Sequence, residues 1–204
     1  MDTLLTDEGS SGDKINLDGD FAVTVSDGTT TAAQLNTFNT ATSSLVNATA
    51  VTAISGSVSD LTTLVGNEGT SGDKVDLKAD VAITVSDTGS VAAADLTTIN
   101  GVTTGLVTAT NASTITGTSS ALVTLIDTEG DSGDKVNLDG DFAVTVSDGT
   151  TTAEQLNTIN AKTTGLVTAT AVATVSGSVS DLTTLVGNEG TSGDKVDLKA
   201  DVAI

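Results

Sequence analysis

From Lys74 to Asp87 the chain reads KVDLKADVAITVSD, and apolar or small residues fall at every second position: Val75, Leu77, Ala79, Val81, Ile83 and Val85. A period of two over that length predicts strand. The same alternation returns at Ile15, Leu17, Phe21, Val23 and Val25, and at Val136, Leu138, Phe142, Val144 and Val146. Asp18-Gly19-Asp20 and Asp139-Gly140-Asp141 interrupt it and predict a corner. After a turn at Ser26-Asp27-Gly28 the period changes. Ala32, Leu35 and Phe38, like Ala153, Leu156 and Ile159, lie three apart. The preceding Thr31-Ala32-Ala33-Gln34 and Thr152-Ala153-Glu154-Gln155 fit a capping box, in which a hydroxyl and a reaching amide satisfy free N–H groups. This unit, type A, therefore reads strand, corner, strand, short helix.

A second unit, type B, alternates with it. Its helix opens at Ser57-Val58-Ser59-Asp60 and Ser178-Val179-Ser180-Asp181, and Leu61, Leu64 and Val65 give about two turns. Its strands, such as 167–175, alternate too, but Ala and Thr dominate them and leave the inward face open.

The repetition is explicit. Residues 54–83 and 175–204 differ only at their first position and lie 121 apart. Phe21, Val81, Phe142 and Val202 are equivalent, at steps of 60, 61 and 60. Tripeptides of the Val/Ile-Ser/Thr-Asp/Gly type begin at Val25, Ile54, Val85, Ile115, Val146 and Val175, and their spacing halves that period. Isolated helices of this length are marginal, and stacked neighbours would bury what each unit cannot. The pattern predicts an α/β solenoid of stacked coils of about 30 residues, with parallel strands and one short helix per coil. An all-β solenoid with the helical segments as loops is the alternative. Residues 1–204 are expected to form one array of about seven coils, cut from a longer chain at both ends. With strand spacing setting the rise, the rod is on the order of 30 Å long. The tripeptides at Val25, Ile54, Val85 and Ile115 are expected to line up as rungs.

Composition removes most chemistry. The chain has no His, Cys, Pro, Trp, Tyr or Arg, and three Phe. It therefore lacks a side chain that titrates near neutrality, a thiolate nucleophile and a bidentate anion clamp. Catalysis is expected to need a site unique to one coil, whereas the polar residues here recur every second coil; the expectation is that the chain is not an enzyme. Its charge of −20, from 27 acids and 7 Lys, opposes binding to nucleic acid and to anionic membrane surfaces. No run of 18 apolar residues would insert into a membrane, and residues 1–20 lack the features of a signal peptide.

Cations are the natural partners, and four acidic loops are where they would sit. Residues 7–20, 67–80, 127–141 and 188–201 each place Gly beside carboxylates ahead of a strand. Calcium prefers such hard oxygens. The candidate ligands are Glu8, Asp13, Asp18 and Asp20; Glu68, Asp73, Asp76 and Asp80; Glu129, Asp131, Asp134, Asp139 and Asp141; and Glu189, Asp194, Asp197 and Asp201. The competing reading is a solvated surface kept soluble by charge. Stacking brings equivalent acids close enough to repel, and Lys14, Lys74, Lys135 and Lys195 offset part of that. Asp27, Asp87 and Asp148 read as turn residues bonded to local backbone. Thr108-Ala109-Thr110 and Thr168-Ala169-Thr170 set paired hydroxyls on one strand face. Neighbouring Asn16/Asp18, Asp76/Lys78 or Asn137/Asp139 would break any ladder of them.

The units VTVSDGTTTAAQLNTFN, VTVSDGTTTAEQLNTIN and VSGSVSDLTTLV resemble repeats of giant cell-surface proteins of cyanobacteria and marine bacteria: adhesins, S-layer-like coats and motility-associated proteins. The resemblance implies secretion, a structural or adhesive role and dependence on calcium. The expected partners are neighbouring repeats or head-to-tail copies of the chain.

Overall fold

A computed structural model describes residues 17–204. Glu8, Asp13, Lys14, Ile15 and Asn16 lie outside the described residues. The fold is an α/β solenoid in which strands pair in parallel and a helix closes each coil.

Type A coils contain three strands, one more than the alternation predicts. In the third coil these are β5 (Val75–Leu77), β6 (Ala82–Val85) and β7 (Ser90–Ala92), followed by α3 (Ala93–Asn100). The fifth coil repeats them as β10 (Val136–Asn137), β11 (Ala143–Val146), β12 (Thr150–Thr152) and α5 (Ala153–Asn160). The first contributes β1 (Val23–Thr24), β2 (Thr29–Thr31) and α1 (Ala32–Ala41). Type B coils have two strands: β3 (Val46–Ala48) and β4 (Ala53–Gly56) before α2 (Val58–Gly66), β8 (Val107–Thr108) and β9 (Thr114–Gly117) before α4 (Ser119–Asp127), and β13 (Val167–Ala169) and β14 (Thr174–Ser176) before α6 (Val179–Gly187). β15 (Val196–Leu198) opens a seventh coil.

Local chemistry explains these helices. Thr31 and Thr152 accept from the Gln34 and Gln155 N–H while the glutamine side chains return to the cap backbone, the complete capping box. Ser57 and Ser178 cap α2 and α6, but their hydroxyls are taken by the Asp60 and Asp181 carboxylates. Ala92 gives α3 no side-chain cap. The inward faces are small and regular. Leu35 and Phe38, Leu96 and Ile99, and Leu156 and Ile159 point from the type A helices into one continuous core with Ile54, Ile83 and Val144. Type B strands turn Val and Ala inward, as at Val107, Ala109, Val167 and Ala169, and Thr outward.

Coils do not superpose strand on strand. From type B to the next type A coil, first strand meets first and second meets second: Val46 pairs with Val75, and Ile54 with Ile83. From type A to the next type B coil the second strand meets the first, and the third meets the second. Ile83 lies opposite Val107, and Val91 opposite Ile115. Val144 lies opposite Val167 in the same way. The path from Ile54 through Ile83 to Val107 therefore stops short of Ile115, the sequence equivalent of Ile54. The shortfall matches the stretch from Val75 to Ile83, one strand with its corner. The sheets are therefore staircases. β2-β4-β6-β8-β10 and β7-β9-β11-β13-β15 each run through five successive coils, from a third strand to a first strand. The expected rungs fail in register: Ile54 meets Ile83 rather than Val85, and Val25 donates to the Asn47 carbonyl in β3.

Helices keep the full repeat and pack in chain order from α1 to α6. Packed helices need about 8–10 Å between axes, so a rod length derived from strand spacing understates the helical side.

Where the staircase passes a corner, the backbones close tightly. Thr103 and Thr163 are buried and donate to the carbonyls of Val81 and Phe142. A Cβ on Gly105 would stand 2.5 Å from the Val81 oxygen. We expect Gly105→Ala to cost about 1–3 kcal/mol by forcing these chains apart. Gly149→Ala, whose Cβ would meet nothing, should stay within about 0.5 kcal/mol of the parent. Denaturant unfolding of the two variants gives the comparison; equal stability contradicts the packing.

Candidate functional site

The acidic loops begin where each type B helix ends, and their backbone has a task of its own. Val75 N–H donates to the Asn67 carbonyl and the Gly69 N–H donates to the Val75 carbonyl. Glu68 thereby pairs with Val75 as one more parallel rung. Glu129 with Val136 and Glu189 with Val196 repeat this. β5, β10 and β15 are the last strands of their staircases, so the loop covers an edge that would otherwise stand open. The loop must turn sharply to do so, and Gly72, Gly133 and Gly193 take φ of 70°, 68° and 66° there. Glycine is the residue that adopts this conformation without steric cost. The Lys74, Lys135 and Lys195 stems lie against Gly69, Gly130 and Gly190. Lys74 and Lys195 then donate to the Gly66 and Gly187 carbonyls at 3.1 and 3.4 Å, placing positive charge at the negative end of a helix. Lys74 and Lys195 thus answer helix ends, where relief of repulsion between acids is the expectation.

The candidate ligands are dispersed. Asp76 and Asp197 project from the outer faces of β5 and β15, opposite Asn47 and Thr168. Asp18, Asp20, Asp139 and Asp141 are exposed at corners, and Asp131 is exposed in its loop. Asp80 and Asp201 are engaged by lysines: Lys78 Nζ lies 2.6 Å from Asp80, and Lys199 Nζ lies 3.0 Å from Asp201. These hydrogen bonds hold both carboxyls below the usual carboxylate range. Both pairs are at the surface, where such contacts add little. What they add is present while the carboxyl is ionised and fades as pH falls through the carboxylate range. Asp134 and Asp194 receive hydrogen bonds from Asn100 and Asn160, at 3.2 and 3.3 Å. Among the described residues, no three acidic side chains converge on a point that would hold a metal ion.

Asp87 and Asp148 do something the sequence reading does not foresee. Each reaches back to the preceding coil. Asp87 Oδ2 accepts from the Val58 N–H of α2 at 2.7 Å, and Asp148 Oδ2 accepts from both the N–H and the hydroxyl of Ser119 at the start of α4. A type A turn thus caps the type B helix beneath it. The separation in sequence equals the strand step from B to A, a signal readable only once the register is known.

The hydroxyl faces also differ from expectation. The slip sets Thr84, not Asp76, beside Thr108, giving an outward row of Ser55, Thr84, Thr108 and Asn137. Thr116, Thr145, Thr168 and Asp197 form a second. The acidic or amide member stands at one end of each row rather than within it.

No helix among the described residues is long and apolar enough to cross a membrane. No family model, curated protein or solved structure matches the chain.

Replacing Asp148 with Ala leaves the buried Ser119 without its closest acceptor. The expected cost is about 1–3 kcal/mol, with Asp148→Asn, which retains a carbonyl oxygen, losing less. Hydrogen exchange at the Ser119 amide should quicken in the same order. Unchanged protection in D148A would show that the contact between coils does not cap α4.

Proposed function

We propose that this chain is a rigid spacer, coat or filament element of an extracellular or cell-surface protein, and that its work is mechanical rather than catalytic. One observation carries the reading: open backbone left by one coil is closed by a neighbouring coil or by the coil's own loop. Staircase sheets tie five coils together, acidic loops finish their edges, and aspartates cap helices one coil back. Stability distributed in this way suits an element that sets length. The polar features recur with the repeat, which favours a repeated structural role over a single reaction centre. The cell-surface placement rests on the resemblance of the repeat units and on the acidic composition.

Neighbouring repeats or head-to-tail copies fit the same scheme. On α2, Val58 and Val65 are half-buried beneath the next type A coil; on α6, which has the same sequence, Val179 and Val186 are exposed. A further type A coil suits that face.

A second reading has its own support. The hydroxyl rows repeat at about the 4.8 Å spacing of strands, a regular surface on which an adhesive module would engage a glycan, cations or a mineral face.

Small-angle scattering of the full chain, with retention on glycan and mineral supports, separates the two. A spacer gives an unchanged cross-section and maximum dimension between low and high salt, and no retention. A flexible profile contradicts the spacer. Retention lost in Thr84→Val/Thr108→Val would favour adhesion instead.

A further inference from the structure

We infer that the chain closes an ester cross-link between two of its own coils, in which the Ser119 hydroxyl displaces ammonia from the side-chain amide of Gln155 and Asp148 carries the proton. The step is a single self-modification. It goes beyond the spacer reading and does not rest on it.

Ser119 opens α4 and is only 3% exposed. A buried hydroxyl needs an acceptor, and this one donates to a carboxylate, Asp148 Oδ2, in the turn of the following coil. The same oxygen accepts from the Ser119 N–H, which fixes where the carboxylate stands. Ser119 Oγ also lies 3.4 Å from Gln155 Oε1, in α5. The amide carbon is about 1.2 Å from that oxygen, so hydroxyl, base and electrophile converge. The amide is polarised as well as held. Gln155 Oε1 accepts from the hydroxyls of Thr151 and Thr152 at 3.1 and 3.2 Å, and from the Thr152 N–H at 3.3 Å. Donors gathered on a carbonyl oxygen stabilise the negative charge it gains in a tetrahedral intermediate.

Asp148 takes the hydroxyl proton as Ser119 Oγ bonds to the Gln155 amide carbon. The oxyanion on Oε1 then collapses, the carbon–nitrogen bond breaks, and Asp148 returns the proton to the leaving nitrogen. An ester and free ammonia result, and no oxidant, reductant or co-reactant is needed. Gln155 and Asp148 are half-buried, which leaves ammonia a way out, and its protonation in water draws the step forward. The ester stays behind among the buried Ser119 and Thr151, shielded from hydrolysis. Folding supplies the encounter, since well-oriented groups within one molecule reach effective concentrations of about 10⁵–10⁸ M. Among the described residues the set is complete at this one place. Val58 and Val179 stand where Ser119 stands in the other type B helices, and Asp95 replaces Gln155 in α3. The chemistry is thus confined to a single pair of coils, unlike the polar features that recur with the repeat.

The test is the mass of the full chain, folded and incubated in neutral buffer, then measured under denaturing conditions. It should be lighter than the sequence by one ammonia. Trypsin cleaves after Lys78, Lys135 and Lys162, so the link holds peptide 79–135 to peptide 136–162, and mild alkali should part them. Ser119→Ala and Gln155→Glu should give no linked pair, and Asp148→Asn should form it about 10²–10⁴-fold more slowly. The parent decides even where a variant fails to fold. A parent that keeps its full sequence mass after long incubation overturns the proposal, as does a linked pair that persists in folded Ser119→Ala. Ammonia loss confined within peptide 79–135 also overturns it, because that marks ring closure at Asn100-Gly101 instead.

Discussion

Neighbouring strands lie about 4.8 Å apart and packed helices about 8–10 Å apart, and this chain must satisfy both spacings in every coil. A straight stack cannot do so without bending. The staircase is the resolution: because the second strand of a type A coil meets the first strand of the next type B coil, strands drift sideways while the helices hold one column. Each sheet then runs obliquely past the helices, and the two spacings coexist. The third strand of the type A coil follows from the same requirement, since a sheet that loses a strand at one side must gain one at the other.

This geometry gives many of the acids their positions. Sheets that drift must terminate, and loops carrying Glu68, Glu129 and Glu189 perform the termination through backbone pairing. Helices in a drifting stack have ends that local sequence does not fully satisfy. Asp87 and Asp148 answer N-termini from the coil above, and Lys74 and Lys195 answer C-termini. The charge of −20 is therefore partly architectural. Among the described residues, Asn36, Asn39, Asn100, Asn157 and Asn160, all on the type A helices, are where that architecture leaves buried side-chain oxygens without donors.

The solenoid, its two alternating units and its helix faces are legible in the sequence. Alternation at Val75–Val85 and spacing of three at Ala32, Leu35 and Phe38 have one structural meaning each. Register is not legible, for a physical reason. A strand slipped by two positions keeps the same face inward, so alternation cannot choose between Ile83 and Val85 as the partner of Ile54. The third strand is hidden because Thr29–Thr31 and Ser90–Ala92 are too short to show a period, and Thr31 is also a helix cap. Contacts that depend on register are hidden with it. Asn100 and Asp134 are 34 apart, and Ser119 and Asp148 are 29 apart. Composition finds the candidate loops, but most of their carboxylates stand separately.

Because the chain contains no Cys, paired cysteines report register without interference. In the staircase Thr84 adjoins Thr108 on the outer face, whereas a straight stack would set Asp76 there. Oxidation of Thr84→Cys/Thr108→Cys and of Asp76→Cys/Thr108→Cys, read by mass spectrometry, is the most direct measurement. The slipped register predicts a disulfide in the first variant and free thiols in the second; the reverse pattern would contradict it.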